Sequence, residues 1–143
     1  MVKQFWINLP SKDVKKSIAF YTNIGFKLNP NHPNSDKAAS FFIGESKIVL
    51  MIFDEPTFKG FTNTPLADAA TCRTLLSIDA QNKEEVDELA KKATDAGGKT
   101  SHKPTGQQSW MYGCVFPILM GISGMCFIWI GAKCRKGNAP TVD

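Results

Sequence analysis

Residues Ile7–Leu28 read INLPSKDVKKSIAFYTNIGFKL, and the rest of the chain can be organised around them. The stretch begins as an alternating strand and turns, through Ser11 and Asp13, into an amphipathic helix predicted over Asp13–Ile24. Val14, Ile18 and Tyr21 fall on one face at helical spacing, and Gly25 ends the helix. Seventy-two positions later the pattern returns. A second helix is predicted over Lys83–Ala96, with Val86, Leu89, Ala90 and Ala93 on one face and Gly97 as its stop. Asn82 and Glu85 have the spacing of a capping box. The shift lays Asp13 on Glu85, Val14 on Val86, Gly25 on Gly97 and Lys27 on Lys99.

Strand-like runs, short and bounded by Gly, Pro, Asn or Asp, flank both helices. Lys3–Leu9 precedes the first helix, and Gly25–Asn29, Ala38–Ile43 and Lys47–Phe53 follow it. Cys72–Asp79 precedes the second, and Gly98–His102 and Trp110–Phe116 follow it. Each half therefore reads β-α-β-β-β, the last strand of the second half lying beyond Phe116. Phe58–Leu66, with glycine- and proline-bearing turns, reads as the linker. Neither half covers its own sheet, so the two are expected to pack together.

The 143 residues suit one domain of α+β class, with 43% hydrophobic and 21% charged residues. A formal charge of +4 is spread over solvated helix faces, with Lys12, Lys15 and Lys16 on one helix and Lys91 and Lys92 on the other. No basic block interleaved with aromatics forms a phosphate track, so no nucleic-acid partner is expected. The opening MVKQFWINLP has no apolar run of secretory length. Cys72, Cys114, Cys126 and Cys134 show no C-x-x-C spacing. Reduced thiols in a cytoplasmic protein are the expectation.

The segment Ile7–Leu28 resembles the opening of the vicinal oxygen chelate superfamily, the glyoxalase, bleomycin-resistance and extradiol-dioxygenase group. Asp13, Ser17, Phe20, Tyr21, Gly25 and Phe26 occupy its D-x-x-x-S-x-x-F-Y and G-F positions. Ser77–Lys99 is similar to the second module of the same fold. The resemblance implies two βαβββ modules pairing into a curved, barrel-like sheet around a cavity. Module one would span residues 3–57, the linker 58–70, module two 71–130 and a tail 131–143. It also implies a small organic ligand and, often, a homodimer. The fold by itself carries isomerases, dioxygenases, thiol transferases and metal-free binders.

In that family the second module closes with a strand announced by D-x-D-G. Here Phe116 is followed by PILMGISGMCFIWIGAK. The uncharged run Gly113–Ala132 has the length of a membrane span, but its four glycines and Pro117 make a poor helix, so no membrane partner is expected. The neighbouring reading frame offers a different account. With one base lost after the Phe116 codon, the same bases can read F-S-D-L-D-G-H-Q-W-N-V-L-Y-M-D-W-S-K-M-P-K-G and then stop. Some triplets involve no choice. Met120 followed by Gly121 forces glycine, Met125 followed by Cys126 forces valine, and Trp129 followed by Ile130 forces aspartate. The expectation is a frameshift after Phe116. In the frame as given, Met125–Ile130 remains strand-compatible but is apolar at every position, a hazard at a sheet edge.

Members that perform chemistry hold a divalent metal through His, Glu or Gln on the first strand of each module and on the last strand. Aligned on Asp13, the first of these positions is Trp6, with Asn8 next on that face. Arg73–Ile78 contains no His, Glu or Gln, and the closing position is Met125, or asparagine in the other frame. No metal and no cofactor are expected. His32 and His102 read as lone surface histidines, Cys114 as a small buried residue, and Ser17 as a packing position. Glu84, Glu85 and Glu88 read as solvated carboxylates, so no catalytic residue is assigned.

Alternation places Trp6 and Asn8 toward the cavity, joined by Met51, Phe53, Arg73, Trp110 and Tyr112 as candidate ligand-binding residues. Aromatic rings with one guanidinium suit a flat or anionic organic molecule. Filling of the sheet interior is the plainer alternative for each. Phe58 and Phe61, around Lys59-Gly60, read either as a flap or as anchors of the linker. The function expected is metal-independent small-molecule binding of the bleomycin-resistance type. The alternative is a metal-dependent enzyme like lactoylglutathione lyase or a dioxygenase.

Overall fold

Asp13 is the hinge between the first strand, β1 (Trp6–Ser11), and the first helix, α1 (Val14–Asn23). Its backbone is extended, and its carboxylate accepts the Lys16 N–H at 3.0 Å, satisfying one of the donors a helix start leaves free. At the other end Gly25 takes a φ of 100°. The Gly25 N–H then reaches the Thr22 carbonyl at 3.0 Å and the Phe26 N–H reaches that of Tyr21 at 2.9 Å, a Schellman ending. Strands β2 (Lys27–Leu28), β3 (Ala38–Ile43) and β4 (Ile48–Asp54) follow and complete a β-α-β-β-β unit. They form a sheet in the order β1-β4-β3-β2, with β1 parallel to β4 and the other pairs antiparallel. The computed structural model describes residues 1, 4–45, 48–67, 74–98, 105–108, 111–117 and 125–130.

Helix α2 (Glu55–Thr62) comes next, where the sequence reads as a turn-bearing linker from Phe58. Asp54 caps it by accepting the Thr57 N–H at 3.0 Å, Pro56 sits in its first turn, and Asn63 ends it in the left-handed region at φ 50°. Phe58–Thr62 is thus helical. The aspartate–proline start outweighs Gly60, because proline in the first turn gives up no helical hydrogen bond.

The second half contains β5 (Thr74–Asp79), α3 (Lys83–Asp95), β6 (Thr105–Gln108), β7 (Met111–Gly113), β8 (Val115–Pro117) and β9 (Met125–Ile130). The Asn82 side chain accepts the Glu85 N–H at 2.8 Å, and the Glu85 carboxylate accepts the Gln81 N–H, one residue outside the usual capping box. The α3 ending repeats that of α1. Gly97, at φ 91°, donates to the Thr94 carbonyl at 2.9 Å, and Gly98 donates to that of Ala93 at 2.8 Å.

Its strand pairing also repeats the first half. In the order β5-β9-β8 the opening strand lies parallel to the last and the last antiparallel to its predecessor, as β1, β4 and β3 do. Two departures stand out. Trp110–Phe116, read as one strand, is divided at Cys114 into β7 and β8, and Trp110 itself lies outside the described residues. β6, which pairs with β7 in a separate two-stranded sheet, has no counterpart in the expected strand list. Gly98 is not in a strand, and the remainder of the run expected to His102 lies outside the described residues.

One apolar cluster joins the helices of both halves. Leu9, Val14, Phe20, Tyr21, Ile24, Phe26, Ala39, Phe41, Leu50 and Ile52 meet Ala80, Val86, Ala90, Ala93 and Cys114. Tyr21 is its centre, with its ring stacked on Phe26 at 5.5 Å, edge-on to Phe20 at 5.5 Å and tilted against Phe41 at 5.3 Å. Complete burial pushes the Tyr21 phenol far above its ordinary range.

Under α1 the buried polar groups close on one another. The Asp13 N–H donates to the Ser11 hydroxyl at 3.1 Å, and the Ser17 hydroxyl donates to the Asp13 carbonyl at 3.1 Å. With its own hydrogen committed, Ser17 accepts from Ser11 at 2.8 Å. Ser17 is fully buried inside α1, with its hydroxyl engaged by Ser11 and the Asp13 carbonyl.

Candidate functional site

The register of the four-stranded sheet sorts its residues onto two faces. Ile7, Leu9 and Ser11 pair with Leu50, Ile52 and Asp54, and Ala39 and Phe41 pair with Ile52 and Leu50. Apart from the half-buried Ile7 and Asp54, these residues are buried, and most join the core cluster under α1. The opposite face carries Trp6 beside Val49, Asn8 beside Met51 and Pro10 beside Phe53, with Phe42, Ser40 and Ala38 continuing the same rows on β3. Four sequence-derived candidates, Trp6, Asn8, Met51 and Phe53, therefore share one face. Of the others, Tyr112 lies in β7, while Arg73 and Trp110 lie outside the described residues.

This face is open at one end and covered at the other. Trp6 is 49% exposed and Asn8 is exposed, whereas Met51 is 8% exposed and Ser40 is fully buried. Ser40 is covered by the loop that precedes β3. Its N–H donates to the Asn34 side-chain oxygen at 2.8 Å, and its hydroxyl accepts from the Asn29 amide at 3.2 Å. Helix α2 packs against β1 and β4. Its Phe61 meets the Phe53 ring edge-on, with centroids 5.1 Å apart and planes at 77°. Phe61 remains 67% exposed.

Ser40, Phe42, Val49 and Pro10 were not among the sequence-derived candidates, and Phe61 was singled out only as part of a flap or an anchor of the linker. The first four become visible once the alternation from Met51 and Phe53 is carried across to β3 and β1. Phe61 required knowledge that α2 is a helix lying over β4.

The donor set of this face is an amide, a hydroxyl already hydrogen-bonded, a thioether and, at the β2 edge opposite Phe42, the Lys27 ammonium. None is an imidazole or a carboxylate. Among the described residues no three His, Cys, Asp or Glu side chains gather in a way that holds a metal ion. The described face does not fit a divalent metal. His32 is half-buried in the loop, and its Nδ1 has no hydrogen-bond partner among the described residues. His102 lies outside them.

Cys114 is a buried free thiol, and burial, followed by the charge of Asp87, pushes its pKa up to about 12. That environment suppresses the thiolate a nucleophile needs.

A separate depression of about 360 Å³ lies where β1 and β4 run into their helices. It is lined by Lys12, Lys15, Asp13, Asp36, Asp54 and Glu55 among others. Asp13 and Asp54 are engaged there as helix caps. Hydrogen bonding to Thr57, with Lys37 nearby, holds the Asp54 carboxyl below the usual carboxylate range. No helix among the described residues is long and apolar enough to cross a membrane.

Among solved structures, a hypothetical protein from S. aureus is 27% identical, covers 92% of this chain and 94% of its own, and superposes with a TM-score of 0.76. A glyoxalase/bleomycin resistance protein/dioxygenase from Nocardioides is 18% identical over 100% of this chain and 91% of its own, at 0.71. A lactoylglutathione lyase from Agrobacterium tumefaciens is 16% identical over 96% and 98%, at 0.63. The curated proteins compared include no match. The glyoxalase family profile matches residues 3–116, most of the sequence, taking in both helices α1 and α3. With its β-α-β-β-β opening and strand-rich α+β architecture, the chain belongs to the glyoxalase/bleomycin resistance protein/dioxygenase superfamily.

Proposed function

We propose that this protein binds a small organic molecule on the sheet face bearing Trp6, Asn8, Met51 and Phe53, without a metal, as a binding protein of the bleomycin-resistance type. Arg73, Trp110 and Tyr112 complete the site in this reading, from the second half of a cavity that the two halves share. The observation that carries it is the residue content of that face. An exposed indole and amide stand beside half-covered rings, and no described side chain there is a good ligand for a divalent ion. An exposed tryptophan beside an exposed amide suits an apolar guest with one polar group. The same reading places the protein in the cytoplasm as a homodimer.

The test is a thermal-shift screen of small aromatic and anionic compounds, run alongside elemental analysis of the purified protein. Stabilising hits that weaken in Trp6→Ala and Asn8→Ala, with no stoichiometric metal, are the expected result. Stoichiometric divalent metal, or isomerase activity restored by adding it, would establish the enzyme alternative. Light scattering in solution tests the dimer.

The closing strand belongs to the same proposal. The family profile ends at Phe116, the residue after which the neighbouring frame supplies D-L-D-G and an alternating strand. In the frame as given, the middle strand of β5-β9-β8 is MCFIWI, six apolar residues at positions that alternate between two faces. We read the natural strand as the one in the neighbouring frame. Sequencing the gene should find G as the third base of the Pro117 codon, and any other base there defeats this reading.

A further inference from the structure

We infer that α2 is a hinged cover of the binding face and that Phe61 is its specificity-determining residue, selecting planar aromatic guests that carry a neutral polar group. The inference rests on the binding role proposed for that face and adds to it a residue and a ligand class.

Three observations converge on Phe61. First, α2 is the least buried of the three described helices. α1 buries Val14, Ser17, Phe20 and Tyr21, and α3 buries Val86, Ala90 and Ala93, but no residue of α2 is fully buried. Second, both of its ends are marked by caps. Asp54 joins it to β4 by capping Thr57, and Asn63 turns the chain at its far end in the left-handed region. Third, its ring contact with the sheet is Phe61 on Phe53, edge-on at 5.1 Å, with most of the Phe61 ring in solvent.

An edge-on pair separates readily when a third ring offers a face to each partner. Stacked layers would bring the outer centroids to roughly 7 Å, within the range over which aromatic pairs attract. From 5.1 Å this is a movement of about 2 Å, which a helix with no fully buried residue can make by pivoting at Asp54–Glu55.

The register supplies the rest of the guest. Phe53 pairs with Pro10, and Asn8 pairs with Met51 two residues back along β1. Two residues of strand span about 7 Å. A ring held at Phe53 therefore presents a substituent one further ring away to the Asn8 amide. Among the described residues the Asn8 side chain makes no hydrogen bond, and an amide both donates and accepts. A bicyclic aromatic carrying a carboxamide fits this spacing, whereas a saturated ring of similar size gains nothing from two aromatic faces.

The experiment measures calorimetric affinities of the full chain for 2-naphthamide and for cyclohexanecarboxamide, with Phe61→Leu, Asn8→Ala and an off-face control, Leu28→Ala. Phe61→Leu keeps an apolar side chain at an exposed position, so its melting temperature should match that of the parent. The expected result is that Phe61→Leu weakens 2-naphthamide by about tenfold and leaves cyclohexanecarboxamide unchanged. Asn8→Ala should weaken both, and Leu28→Ala neither. Equal loss of both compounds in Phe61→Leu, or no loss of 2-naphthamide, overturns the inference. So does preference for the saturated ring. If non-planar compounds bind in a manner sensitive to Trp6 and Asn8 but indifferent to Phe61, only this inference falls. If no compound responds to Trp6 or Asn8, the binding role falls with it.

Discussion

The two halves end their helices with the same hydrogen bonds and spend the next residue differently. After α1 the residue beyond the left-handed glycine is Phe26, whose ring stacks on Tyr21. After α3 it is Gly98, where a Cβ would lie 2.8 Å from the Ala93 carbonyl oxygen and 3.5 Å from the Phe20 ring. Among the described residues of this cluster, the first half supplies the large rings, Phe20, Tyr21, Phe26 and Phe41, and the second supplies smaller side chains, Ala80, Val86, Ala90, Ala93 and Cys114, against which they close. The repeat is therefore one of backbone and hydrogen bonding, with the side-chain volumes complementary. Two halves that both carried rings at these positions could not share one cluster at interior packing density.

The sharpest way to break this complementarity is to remove a ring from the first half. Phe20→Ala should destabilise the protein by about 3–5 kcal/mol, since Phe20 is 1% exposed and touches the α3 ending as well as Tyr21. Val86→Ala, at an equally buried position of α3, should cost only about 1–2 kcal/mol. Urea melts of the two variants test the ordering, and equal losses would mean that the halves carry the core equally.

Adding volume to the second half is the converse. Gly98→Ala drives a methyl group into a backbone oxygen and should cost about 1–3 kcal/mol. Gly25→Ala meets no atom within 4 Å and bears only the left-handed backbone penalty, about 1 kcal/mol. If the two glycines prove equal, the close approach at Gly98 has relaxed and the proposed division of volume is wrong there.

The first half was legible in sequence because its local signals agree with its tertiary environment. Asp13 and Gly25 mark the ends of α1, and Ala38–Ile43 becomes β3 without adjustment. The repeat, seen at a shift of 72, holds at the helix endings but not at the starts. Asp13 caps α1, whereas Glu85, its partner under the shift, lies one turn inside α3, and Asn82 is the cap. The extra turn in α3 is announced instead by Asn82 and Glu85, whose capping-box spacing predicts the start at Lys83 that the structure shows.

Where local signal was weak or contradictory, the reading failed. Thr105–Gln108, TGQQ, has no apolar alternation and forms a strand only because β7 pairs with it. Gly60 obscured α2, although Asp54 and Pro56 had announced its start. On the candidate face lie Asn8, read by alternation from Trp6, and Met51 and Phe53, added from the other strands. Phe61 reaches that face through the packing of a helix, which no sequence periodicity encodes.

The smallest expected effect separates α2 from the two core helices. Asp54 is an ionised cap whose carboxyl is held below its ordinary range, chiefly by hydrogen bonding to Thr57 and also by Lys37. A group whose pKa is lowered on folding contributes stability that is complete above its unfolded value and is lost as pH falls through the folded one. Acidification through the low end of the carboxylate range should therefore loosen the start of α2 while the neutral Asn82 cap of α3 is unaffected. The signal is local, namely amide exchange at Thr57 and Phe58 rising at acid pH, with Val86 and its neighbours still protected. Asp54→Asn keeps an oxygen able to accept the Thr57 N–H but removes the charge, so it should flatten this pH dependence at a cost of a few tenths of a kcal/mol. A pH response that survives in Asp54→Asn would assign the titration to another group.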